Sequence, residues 1–137
     1  MEGLGRLFNL ATSATTSEAR VNLKNAAGVT FVLIGATSGD ATIEEHDAAT
    51  SGDSNDLAVI TRYHRQNNGL WTAVTQAAAA TFTAGTGGLA ACYIPATALS
   101  AGYKWVSATH ASGSFVYVIH DLNVQRDPAS LQAVGAA

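Results

Sequence analysis

The chain has 137 residues, 47% of them apolar and only 12% charged, with ten acidic and seven basic side chains for a net charge of −3. That length suits one ordinary domain with a core of its own, and the scattered bases, Arg6, Arg20, Lys24, Arg62, Arg65, Lys104 and Arg126, make no basic face, which argues against nucleic acid as a partner. No run of 18 apolar residues offers a membrane-crossing helix, and the lone cysteine, Cys92, excludes an internal disulfide and a cysteine-based zinc site.

Residues 1–19 are unlike the rest. Leu4, Leu7, Phe8 and Ala11 recur at helical spacing before the polar link "TSATTSEA". Gly3 and Gly5 weaken a helix by about 1 kcal/mol each, so the segment reads as an arm that orders when it docks. The start also lacks the pattern of a signal peptide, with an acid at position 2 and Gly, Arg and Asn breaking its apolar residues. This suggests a protein made and assembled in a cytosol.

Residues 20–121 carry all-β punctuation. "VTFVLIGA" predicts a strand closed by "TSGD", and "ATIEEH" a second before the loop "DAATSGDSND". "LAVITRYHR" and "LWTAVTQ", joined by "QNNG", form the clearest hairpin. "AAAATFTAGTGG" is ambiguous, since four alanines favour helix while Thr81, Phe82 and Thr83 favour strand; the reading here is strand. "LAACYIP" is a strand ended by Pro95, and "ATALSAG" one helical turn stopped by Gly102. "YKWVSATHA" and "FVYVIHDL" are expected to pair as a second hairpin around "SGS". About eight short antiparallel strands at this spacing predict a single β-sandwich or barrel-like domain. Pro128 and the absence of strand pattern make residues 122–137 a second extended arm.

Several residues tempt a chemical reading. His120-Asp121 resembles an oriented base, but neighbours in a strand face opposite ways, and no G-x-S-x-G elbow supplies a nucleophile. His46, His64, His110 and His120 lack metal-ligand spacing. Six acids cluster at Asp40, Glu44, Glu45, Asp47, Asp53 and Asp56, and a solvated acidic hairpin is favoured over a calcium site because "GDSND" lacks alternating ligands and a closing glutamate. "GTGG" has no lysine and no following helix, so it reads as a turn rather than a phosphate cradle. Cys92 reads as a buried, inert thiol. Trp71, Trp105, Tyr63, Tyr103 and Tyr117 are expected in the core and in cross-strand pairs, with a sugar-binding face as the alternative. No catalytic residue, cofactor or metal site is assigned. The low charge fits either a surface covered by other copies or another protein, or one dressed in Thr, Ser, Asn and Gly.

Three stretches together carry a resemblance: "GDATIEEHDAATSGDSNDLAVITRYHRQNNGLWTAVTQ", "ALSAGYKWVSATHA" and "VIHDLNVQRDPASL". Over about residues 28–131 they resemble small head structural proteins of tailed bacteriophages, with the closing "HDL-VQR-P" segment the most specific part. The resemblance implies a minor capsid or capsid-decoration protein, not an enzyme, located on the capsid surface of a virion assembled in the bacterial host cytoplasm. Its implied partner is the major capsid protein, and threefold positions on an icosahedral shell favour a homotrimer. On that reading the arms dock: Leu4, Leu7, Phe8, Leu122, Val124 and Leu131 would bury apolar area, and Arg126 would hold register through a charge-assisted hydrogen bond. A carbohydrate-binding sandwich on the virion surface, or a tail or neck component, is the competing expectation.

Overall fold

The computed structural model describes residues 19–37 and 39–121, and residues 8–14 by their backbone. In chain order the strands are β1 (Phe8–Ala14), β2 (Val21–Asn22), β3 (Gly28–Ile34), β4 (Asp40–His46) and β5 (Ser54–Asp56). Then follow β6 (Ile60–Asn67), β7 (Leu70–Ala79), β8 (Thr81–Thr83) and β9 (Leu89–Pro95). A 3-10 turn at Ala96–Ala98 leads to β10 (Trp105–Thr109) and β11 (Ser114–His120). The pairings are antiparallel and build two sheets. One has six strands in the order β1-β11-β3-β9-β6-β7, the other five, with β2-β10-β4-β5 in line and β8 also on β4. The expected all-β sandwich is therefore the fold.

Alternation explains the layering. Val29, Phe31 and Leu33 of β3 are fully buried while Thr30 and Val32 between them are only half-buried. Phe115, Tyr117 and Ile119 of β11 and Cys92 and Ile94 of β9 repeat the pattern. Ala41, Ile43, Phe82, Val106 and Ala108 face them from the other sheet. Phe31 packs edge-on against Tyr117 with ring centroids 5.1 Å apart, and Tyr63 meets Phe82 at 5.9 Å. Each such large side chain contributes roughly 1.5–3 kcal/mol through area removed from water.

The β6–β7 hairpin forms as expected, because Asn68 and Gly69 both take positive φ, 49° and 80°, as a type I′ turn demands. The alanine-rich stretch is strand: β7 runs to Ala79, and the chain then passes through Ala80 to β8 on the other sheet. The register with β6 shifts between Ile60 and Arg62, and the Gln76 side-chain amide fills the irregularity by donating to the carbonyls of Ile60 (3.1 Å) and Thr81 (2.7 Å).

Two expectations differ from the fold. The segments around "SGS" are no hairpin: β10 belongs to the five-stranded sheet and β11 to the six-stranded one. The link between them crosses the sandwich, held where Ser112 Oγ accepts the Thr37 amide at 3.0 Å and His110 Nδ1 lies 3.0 Å from the Ser112 amide. Residues 8–14, expected to lie in an arm that orders only on docking, form a strand against β11 in the register Phe8↔His120 to Ala14↔Ser114. An open hydrogen-bonding edge on β11 outweighs a weak helical period.

Candidate functional site

Outward positions of the six-stranded sheet follow from alternation and register. β3 presents Thr30, Val32 and Ile34; β11 presents Val116, Val118 and His120; β9 presents Leu89, Ala91 and Tyr93. β6 adds Arg62, His64 and Gln66, and β7 adds Trp71, Ala73 and Thr75. Ile34 is 43% exposed, and Trp71 and Tyr93 are each 49% exposed. The runs "VTFVLI", "LAACYI" and "FVYVI" are thus apolar on both faces, a pattern usual for strands covered on both sides. Among the described residues, nothing covers the outer face.

At the β11 end of this face, His120 Nε2 lies 2.7 Å from Thr30 Oγ1, and its ring stands edge-on to Tyr93 at 5.8 Å. Tyr93 in turn lies over Gly28, where an added Cβ would come within 2.6 Å of the phenol oxygen. Asp121 is exposed, with a left-handed φ of 49° that turns the chain out of the strand. The imidazole is thus held by a threonine hydroxyl and packed against a tyrosine ring.

The five-stranded sheet has a polar outer face with a buried network. His46, fully buried, sits between two hydroxyls, with Nδ1 2.7 Å from Ser54 Oγ and Nε2 2.7 Å from Ser107 Oγ. Arg20 extends the chain, donating to Ser54 Oγ (3.3 Å) and to the carbonyls of Ala48 (3.0 Å) and Ser51 (2.6 Å). The guanidinium pins the loop after β4 over the histidine. A serine–histidine pair invites a hydrolytic reading, but Ser107 has no exposed surface and no carboxylate orients the ring among these contacts. The arrangement ties the loop and both strands together.

The acidic stretch is a hairpin, β4 against β5, with Asp40, Asp47, Asp53 and Asp56 exposed and Glu45 buried, accepting the Ser100 amide at 2.8 Å. Among the described residues no three His, Cys, Asp or Glu side chains gather as a metal site. In "GTGG" the amides of Gly85, Gly87 and Gly88 donate to the carbonyls of Leu89, Gln66 and Gly85, so they are spent on the turn. Cys92 is buried, and desolvation pushes its thiol up to about 12.

The aromatic expectation divides. Tyr63 and Tyr117 are in the core. Tyr103 is half-buried and accepts from Asn55 at 2.8 Å. Trp71 is a correction, half-exposed on the edge strand because, among the described residues, no further strand flanks β7. Trp105 is half-buried on the other sheet, so the two tryptophans form no row. Of the docking residues expected in the arms, Leu4, Leu7, Leu122, Val124, Arg126 and Leu131 lie outside the described residues, and Phe8 is placed only by its backbone register. Sequence reasoning missed the Arg20–Ser54–His46–Ser107 network, whose members are far apart in the chain with no local signal. The outer apolar face did leave a signal, in strands apolar at successive positions rather than alternate ones. The chain matches no protein-family model, no curated protein and no solved structure.

Proposed function

We propose that this chain is a non-enzymatic structural protein of a bacteriophage virion, which binds the major capsid protein and stabilises the shell as a decorating or cementing subunit. The observation that carries the reading is the outer face of the six-stranded sheet, where strands with the composition of covered strands stand open. A protein that meets a shell in many copies needs only modest contacts per copy, because avidity multiplies them. The sequence resemblance to phage head proteins points to the major capsid protein as the partner, and several copies per attachment site, with trimers at threefold positions, suit such a shell. Electron cryo-microscopy of capsids from the phage that encodes the chain tests this. We expect density for the sandwich at regular positions on the shell, and its absence from particles incubated with excess protein would remove the reading.

A carbohydrate-binding module on the virion surface is the second reading, favoured by the exposure of Trp71 and Tyr93 on one face. Quenching or a blue shift of tryptophan fluorescence by host-surface glycans, lost in Trp71→Ala, would favour it over the coat role.

A further inference from the structure

The sheet edges differ in what they offer a passing strand. In the five-stranded sheet β2 has two residues and β5 three, and such shortness blunts an edge. β7 has ten, "LWTAVTQAAA", with no charged side chain and no proline. Among the described residues it is the last strand of its sheet, with Leu70 72% exposed and Trp71 49% exposed. A two-residue turn makes Asn67 and Leu70 a hydrogen-bonded pair. Strict alternation then turns the N–H and C=O groups of Trp71, Ala73 and Thr75 away from β6.

We propose that β7 pairs with β7 of a second copy of this chain, antiparallel about a two-fold axis at Ala73, so that the six-stranded sheet continues across the interface. The register follows from the limits of the regular run, which begins after the turn at Asn68-Gly69 and ends at the bulge that Gln76 fills. Ala73 then exchanges reciprocal hydrogen bonds with Ala73 of the other copy, and Trp71 with the other copy's Thr75. These are the three residues whose backbone groups face outward. On the outer side of the sheet each indole lies beside a threonine and diagonal to an alanine, so a bulky group meets small ones and the strand complements its own reverse. Charge points to the same occupant. A strand without charge does not repel itself, and the nearest arginines, Arg62 and Arg65, sit one strand back. Their counterparts would be about three strand spacings, roughly 14 Å, away, beyond a Debye length at physiological salt. The contact is small, in the class below about 1,200 Å² that gives weak, concentration-dependent association. It does not rest on the capsid reading, and where trimers form it would join one trimer to another.

Sedimentation velocity of the full chain, from micromolar to submillimolar concentration, tests it. We expect wild type to pass from monomer to dimer, or to six copies if trimers also form. Ala73→Pro, which removes an outward donor and no bond to β6, should weaken the pairing more than tenfold while leaving the far-UV spectrum unchanged. Thr75→Lys should do the same by placing a charge on the edge, and decides the matter if the proline variant does not fold. Tyr93→Lys, on the same face but two strands inward, should pair like wild type. A wild-type monomer throughout, a trimer alone, or a dimer that survives both edge substitutions would each overturn the proposal. A dimer from protein that ignores capsids would leave it standing and remove the proposed function instead.

Discussion

Cys92 and His46 are both buried, and the interior accommodates them for different reasons. The thiol has no charge to lose at neutral pH, so desolvation holds it protonated up to about 12 and keeps it unreactive. The folded protein should therefore resist a disulfide exchange reagent at pH 8 and react only once denaturant opens the core, with released thiolate absorbance as the measure. The sign of the linked stability effect follows: above about pH 9 the unfolded chain gives up this proton and the folded chain keeps it, so stability falls as pH rises between 9 and 12. Urea unfolding of wild type and Cys92→Ala across that range should show a decline that the variant partly loses. His46 is tolerated in the interior because each ring nitrogen has a hydroxyl 2.7 Å away. Removing the ring strands Ser107 and loosens the loop that Arg20 clasps, so His46→Ala should cost about 1–3 kcal/mol by urea unfolding. Sequence reasoning could place Cys92 and Tyr117 inside because each lies in an apolar strand, and Tyr63 because its segment is rich in β-branched and aromatic residues. It could not place Trp71, since a strand's composition does not say whether another strand flanks it.

At the scale of elements, two glycines that look alike in the sequence do different work. Gly69 has open space around it and is required by its φ of 80°, so Gly69→Ala should weaken the β6–β7 hairpin by about 1 kcal/mol through backbone strain alone. Gly28 sits inside β3 at an ordinary φ, yet a Cβ there would meet the Ile94 carbonyl at 2.5 Å and the Tyr93 ring close behind. Gly28→Ala should cost more, about 1–3 kcal/mol, by forcing β9 away, and Tyr93→Ala should restore little of it because the carbonyl clash remains. Thermal melts of the two single variants and the double variant would separate strain from overpacking. The first hairpin was legible because its turn chemistry is local and obligatory. The link after β10 was not, because "SGS" serves equally in a tight turn and in a chain that changes sheets. What decides is that β10 pairs with β4, more than fifty residues earlier in the chain, as its register Thr109↔Thr42 shows. β5, three polar residues held by the neighbouring β4, carried no pattern of its own.

For the whole molecule, removing the two ends should act unequally on the sandwich. Removing residues 122–137 leaves every strand from β1 to β11, and with them the core that gives the domain its stability. Removing residues 1–19 deletes β1 and uncovers the hydrogen-bonding edge of β11 along seven residues. The shortened sheet then ends in "SFVYVIH", a long apolar edge with no Asp, Glu, Lys or Arg, the kind that invites aggregation. The C-terminal segment holds Leu122, Val124 and Leu131, apolar side chains that could contribute to a contact with a shell. If attachment to the shell runs through that segment, a protein ending at Asp121 should melt within a few degrees of wild type and yet fail to co-sediment with capsids. A protein starting at Arg20 should instead melt lower and aggregate near its midpoint, whatever its affinity. Full capsid occupancy by the C-terminally shortened protein would shift attachment to the open face of the six-stranded sheet, where Ile34→Lys and Tyr93→Lys should then abolish it.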